Sequence, residues 1–301
     1  MNQEKTISRQ ELTEFYEPLL KGYSESFKTK INTIENITKT VFNDANEVTI
    51  DQLKDFCHTS NDNFLKSMID RLIGVREIIY CRENNLELKM LAVWRLISNS
   101  IRLIPSEFTI SSIGSQGFLS IPLYKTDKPL EAFDFIRLHI WDDSLDKYMD
   151  LQKCEDFSIH SHTFFAKSWI ITGQIINNRY EFDLNSSNSK HSFFEVVYND
   201  SLNQVNQHSS KAVNKGKNAE LIKVSEEIHY ESGYYEIKPS KLHKSGHKNS
   251  PLCSATFFSF TGKDGLGKSF VIGPKEITES EINRKMNIDP IYLLDKIDKQ
   301  L

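Results

Sequence analysis

The chain has 301 residues, 37 basic and 41 acidic side chains, a formal net charge of −4 and 39% hydrophobic residues. That length sets a ceiling of about two domains and suffices to bury a real core, and the near balance of charge gives no global reason to expect nucleic acid or an anionic membrane as a partner. Cys57, Cys81, Cys154 and Cys253 show no C-x-x-C spacing, and no apolar run approaches the roughly 18 residues that span a bilayer, so a cytoplasmic protein with free thiols is expected.

From residue 12 to about 41 the apolar positions, among them Leu12, Phe15, Tyr16, Leu19 and Tyr23, fall three or four apart. This is the stripe of an amphipathic helix, read as one long helix or a broken pair. Phe64, Leu65, Met68, Ile69, Leu72 and Val75 repeat the pattern, and a further stripe over 86–101 stops before Pro105. After Pro105 the texture changes to short apolar or alternating runs, at 118–124, 133–141, 168–176, 180–184, 193–198, 221–224, 234–237, 255–260 and 270–272. The polar stretch 200–218 reads as a long exposed loop or flap. The expected class is α+β: an α-helical N-terminal region over 1–105, a β domain over 106–280 and a C-terminal tail, 281–301, that should be helical.

Two histidines one residue apart, His160 and His162, lie in a strand-like stretch, I-H-S-H-T-F-F-A-K-S-W-I-I-T-G, that closes at Gly173. Side chains at i and i+2 of a strand share a face, so the pair aims two imidazoles at one point, a natural metal pincer. His243 follows in Y-E-I-K-P-S-K-L-H, and His247 could replace it if the chain folds back. These two segments resemble the cupins, whose first motif is H-x-H followed by a carboxylate and a glycine and whose second carries a lone histidine after a proline turn. The resemblance covers roughly residues 110–275 and implies a small jelly-roll barrel around one divalent metal. Three departures stand out. Ala166 and Lys167 occupy the neighbourhood of the acidic ligand, Ser240 or Lys241 stands where a turn glycine is usual, and about 80 residues separate the motifs.

What remains is a three-histidine set, His160, His162 and His243, similar to that of the thiol dioxygenase branch. It implies Fe(II), open positions for substrate and dioxygen, and oxidation of a small molecule; zinc, nickel and manganese accept the same donors. In R-L-H-I-W, Arg137, His139 and Trp141 share one face of a strand and Leu138 and Ile140 the other. If the first face lines the barrel, Arg137 could hold a carboxylate or phosphate with His139 orienting it; facing outward, toward the helices or solvent, is equally open. Tyr234 and Tyr235 alternate, so one faces the pocket, and Tyr235 stands with Arg137 as a candidate catalytic residue.

Residues 262–269, G-K-D-G-L-G-K-S, match the literal phosphate-loop pattern. That chemistry needs a helix beginning at the Lys-Ser pair. The β-like run S-F-V-I-G-P leaves no room for one, so a hairpin turn is expected and nucleotide binding is disfavoured. A non-catalytic small-molecule sensor, with the helical region docking a partner protein or a second copy, is the alternative from a different class.

Overall fold

The computed structural model describes residues 6–114, 116–186, 189–198, 209–247 and 252–301. The architecture is α+β, with helices gathered against two seven-stranded sheets whose pairings are all antiparallel. The first apolar stripe is divided into Arg9–Leu20, Glu25–Lys28 and Ile34–Phe42. Local chemistry makes the breaks: Ser24 and Thr33 are extended N-caps, and the Thr33 hydroxyl accepts from the Asn36 N–H. Asn63–Glu83 begins at Asp62, whose carboxylate accepts from the Leu65 N–H, and Met90–Arg102 ends before Pro105. Two short strands, Thr6–Ser8 and Glu47–Thr49, pair within this helical part.

One sheet runs, in spatial order, Tyr234–Ile237, Phe164–Thr172, Ser254–Leu266, Asp134–Trp141, Leu119–Lys125, Ser112–Ile113 and Lys285–Met286. Its outer face carries Leu119, Ile121, Leu123, Leu138, Ile140 and Phe257 into the same core as Leu72, Val93, Trp94 and Ile97 of the helices. Burying those side chains stabilises the layer by roughly 1.5–3 kcal/mol each. The opposite face is thereby turned toward the second sheet. That sheet runs Glu279–Asn283, Ser209–Tyr230, Gln174–Asp183, Leu242–Gly246, Ile159–His160, Val271–Pro274 and His191–Tyr198, with the last strand also pairing to Ser209–Tyr230.

Gly173 is the corner at which the chain leaves one sheet for the other, with φ of 75°. The Gln174 N–H donates to the Ser254 hydroxyl, which donates in turn to the Gln174 carbonyl, so the corner is pinned to the neighbouring strand.

Two expectations are corrected. The stretch 209–218 is not a loop, since it forms the first half of the Ser209–Tyr230 strand, while 200–208 lies outside the described residues. Composition hid a two-residue period: Ser210 and Ala212 are buried, and polar neighbours face outward. Nor is 262–269 a hairpin turn. The Ser254–Leu266 strand lies in one sheet and Val271–Pro274 in the other, so this segment is a crossover between sheets. The tail holds the strands Glu279–Asn283 and Lys285–Met286 before its helix, Ile291–Gln300. That helix is tied back by Asp298, which accepts from the Trp94 indole at 2.7 Å and from Arg102 at 2.6 Å. Among the described residues no helix is long and apolar enough to cross a membrane.

Candidate metal centre

His160 ends the two-residue strand Ile159–His160, and His243 is its direct cross-strand partner on Leu242–Gly246. His162 lies just beyond the strand end, since pairing stops at His160 and resumes at Phe164, so the expected continuous strand is broken between the two histidines. The break has a visible cause. Buried Ser161 donates its hydroxyl to the Lys268 carbonyl and accepts from the Phe270 N–H, while its own N–H donates to the Phe270 carbonyl. The Lys-Ser segment that mimics a phosphate loop is thus the clamp on the H-S-H turn. No helix follows it, and the Ser269 hydroxyl is spent on the Ser161 carbonyl.

Ser240 closes the same knot from the other side. Its N–H donates to the His162 carbonyl at 2.9 Å and its hydroxyl accepts from the Lys268 N–H at 2.7 Å. With φ of 64°, it occupies the left-handed position where the cupin motif usually has glycine.

The result is a compact triangle of rings. Centroids lie 4.8 Å apart for His160 and His162, 4.4 Å for His160 and His243, and 4.6 Å for His162 and His243. One ligand nitrogen from each lies within 4.8 Å of the other two. Bonds of about 2.0–2.1 Å from imidazole nitrogen to a divalent ion bring such atoms to roughly 3–3.5 Å apart, a closure that side-chain rotation supplies.

Electrostatics suit this role. Burial lowers the pKa of His160, and burial, together with the cost of placing a second positive charge among close-packed rings and near Arg137 or Arg179, holds His162 and His243 well below the usual histidine range. The rings are therefore neutral, as ligands must be. The Ser158 carbonyl lies 2.8 Å from His160 Nδ1, which places the proton there and leaves Nε2 with its lone pair. Nδ1 of His162 and of His243 is buried without a hydrogen-bond partner among the described residues. Three neutral nitrogen donors, two of the rings carrying an orphaned polar atom, fit a divalent metal.

A cavity of about 140 Å³ opens beside the triangle, between the facing sheets. Arg137, His139 and Trp141 all line it, which settles the face left open by sequence: Leu138 and Ile140 are the pair turned toward the helices. Tyr235 also lines it, almost fully buried, with its hydroxyl 3.4 Å from the Ser245 hydroxyl and its pKa raised chiefly by burial. Tyr234 points away, half exposed, beneath the Lys167 ammonium at 4.1 Å. Lys167 is committed to Glu236 at 3.0 Å, and Ala166 packs beside Tyr235 and Phe258, so no acidic ligand appears at this position of the motif. His247 is not in the triangle and lies 3.5 Å from Asp143.

Sequence reasoning missed Phe118, Phe258, Phe260 and Arg284 as cavity residues. For the two strand phenylalanines a signal existed in F-F-S-F at 257 to 260, where Phe258 and Phe260, two residues apart, share a face. For Arg284, between two short strands far along the chain, there was none.

No family model matches the chain, and no curated protein does. Among solved structures, hydroxypropylphosphonic acid epoxidase from S. wedmorenis aligns with 70% of this chain and 95% of its own, at 9% identity and a TM-score of 0.26. An arabinose-bound α-L-arabinofuranosidase aligns with 58% of this chain and 23% of its own, at 10% identity and a TM-score of 0.11. Neither likeness is close enough to bear on function, which must be built from the side chains themselves.

Proposed function

We propose that the chain is a metal-dependent enzyme of cupin type, its facing sheets acting as the jelly-roll barrel of that family, and that it oxidises a small molecule in a dioxygenase-like reaction. The observation that carries this reading is the convergence of His160, His162 and His243 on one point from distant parts of the chain. These three would hold the ion, most fittingly Fe(II), with zinc, nickel and manganese as the other candidates. When bound, such an ion supplies the redox chemistry between dioxygen and a closed-shell substrate that no side chain supplies.

The chain's own residues do the rest. Neutral imidazoles without a carboxylate leave the full charge of a bound cation uncompensated by ligands. Tyr235, kept protonated by burial, stands at the cavity wall with its hydroxyl donating to the Ser245 hydroxyl, a second residue of that wall. Arg137, its guanidinium carbon 3.9 Å above the Phe135 ring, is held in a fixed plane at the wall. Phe118, Phe258 and Phe260 exclude water and shape the space. An engineered cavity of about 150 Å³ is known to hold benzene, so the space of about 140 Å³ here suits a small substrate.

The test is elemental analysis of the full chain after anaerobic reconstitution with Fe(II), followed by oxygen uptake against a panel of small thiols and related compounds. One metal per chain is expected, falling below a tenth of that in His162→Ala, with uptake that depends on metal and substrate. Absence of stoichiometric metal after reconstitution would end the reading. Ligand-induced stabilisation without turnover would leave a binding module instead.

A further inference from the structure

A row of polar side chains, Ser245, Asn177 and Glu227, leads away from the cavity through the second sheet, and the metal reading does not use it. Asn177 is fully buried and has Glu227 as its cross-strand neighbour on one side and Ser245 on the other. Ser245 lines the cavity, whereas Glu227 sits at the rim with its side chain 33% exposed. Tyr235 enters from the opposite sheet and joins the inner end of the row, its hydroxyl 3.4 Å from that of Ser245.

Donors and acceptors along this row are ordered from its outer end. Glu227 receives the Arg179 guanidinium, from Nε at 3.1 Å and Nη2 at 3.0 Å, and the His229 ring nitrogen lies 3.3 Å away. Burial pushes its carboxyl pKa up, but the hydrogen bonds from Arg179 and Asn177 outweigh burial and hold it below the usual glutamate range, so it is a carboxylate and can only accept. Asn177 must therefore turn its amide nitrogen to Glu227, at 2.9 Å, which leaves its carbonyl for Ser245. The Ser245 hydroxyl donates to that carbonyl at 2.9 Å. With its proton spent, Ser245 can only accept from Tyr235, and the phenol proton is committed. The Tyr235 oxygen keeps its lone pairs; Ser168, its cross-strand neighbour, approaches on one side, and the other is left for a ligand.

We infer that Glu227, acting through Asn177 and Ser245, is a positioning residue that fixes Tyr235 as a hydrogen-bond acceptor at the cavity wall, and that the substrate meets it with a donor, a hydroxyl, amine or thiol group. The inference rests on reading the cavity as a substrate site. The carboxylate gives the row its direction: with a neutral amide in its place, Asn177 is free to flip and the order to reverse. Hydrogen bonds in series polarise one another in a water-poor interior, so the order set at the rim holds at the cavity. A ligand that offers only an acceptor leaves the phenol oxygen unpaired, which is how a site built for a hydrogen bond rejects the wrong partner.

Pyrrole and furan test it, five-membered rings of nearly one size of which the first carries an N–H donor and the second only a ring oxygen. Each is titrated calorimetrically into the metal-free full chain, and pyrrole is expected to bind about fivefold or more tightly than furan. Ser245→Ala releases the phenol proton toward the cavity, so the ratio should fall to about one or invert, and Tyr235→Phe should also bring it near one. Glu227→Gln should lower it about threefold, while Glu227→Asp, which keeps a carboxylate, should retain more of it. A ratio of two ligands on one protein is not moved by a general loosening of the fold, so a merely structural role leaves it unchanged. The melting temperature of each unliganded variant reports its folding, and if Glu227→Gln does not fold, Ser245→Ala, which cuts the same row next to Tyr235, decides. No preference for pyrrole in the unaltered chain, or a preference left unchanged by either folded variant, overturns the inference. Metal content after reconstitution is measured on the same preparation: one metal per chain without pyrrole preference leaves the metal centre and removes the role of Glu227, while a preference that the variants abolish, without metal, does the reverse.

Discussion

Burial sets the charge of the imidazoles, and that has a consequence for stability as a function of pH. His139, His162 and His243 are held well below the ordinary histidine range and His160 below it, desolvation being the largest cause for each. In the unfolded chain the same rings protonate near about pH 6.5. Below that value the unfolded state binds protons that the native state refuses, so stability falls as pH drops. Above about pH 7 both states carry neutral rings and this contribution is flat. Each group adds a slope of at most about 1.4 kcal/mol per pH unit, and the four together at most about 5.5. Partly buried His191 and His247, also lowered by desolvation, act in the same direction. Urea unfolding of the metal-free protein from pH 5.5 to 8 should show a steep loss below pH 6.5; a midpoint independent of pH over that range would contradict buried neutral rings.

Among the elements, the corner at Gly173 decides whether the facing sheets meet in the right register. The residue holds φ of 75°, and a β-carbon there would press into the Cys253 carbonyl and the Ser254 side chain. Gly173→Ala combines a left-handed conformation with overpacking against backbone and is expected to cost about 2–5 kcal/mol, read as a shift of the urea midpoint. Less than about 0.5 kcal/mol would mean that the corner relaxes freely and does not fix the sheets.

The same element shows what could be read in advance. H-x-H spacing and a closing glycine are local signals, so the histidine pair and the end of its stretch at Gly173 were legible, but the change of sheet there was not, since the expected run 168–176 passes straight through it. Parity in R-L-H-I-W separated Arg137, His139 and Trp141 from Leu138 and Ile140, but choosing the inner set needed the helices that bury the latter pair. Strand order, the crossover at 262–269 and the approach of Arg284 depend on pairings between distant segments, which leave no periodicity in the chain. The strand over 209–218 was hidden because a polar, Lys- and Asn-rich composition masked buried Ser210 and Ala212.

At the scale of the whole molecule, the helices and the cavity-bearing sheet share one apolar core and a buried ion pair. Arg82, near the end of Asn63–Glu83, places Nη2 2.7 Å from Asp134 Oδ1 at the start of the strand that bears Arg137, His139 and Trp141. It also donates to the Ser259 hydroxyl on the adjacent strand at 2.7 Å. Both side chains of the pair are at most 5% exposed. Taking two charges out of water makes the pair a weak source of net stability, but removing one partner strands the other, at about 3–5 kcal/mol. Asp134→Ala should therefore cost that much, while Asp134→Leu combined with Arg82→Met should recover most of it. Because the pair and the common core bind the two layers, unfolding should be one event. Far-UV circular dichroism, dominated by the helices, and the fluorescence of Trp94 in a helix with Trp141 and Trp169 in the sheet should give coincident urea transitions. Separated transitions in the unaltered chain, or an Asp134→Ala midpoint equal to that of the unaltered chain, would show that the helical layer does not hold the cavity wall in place.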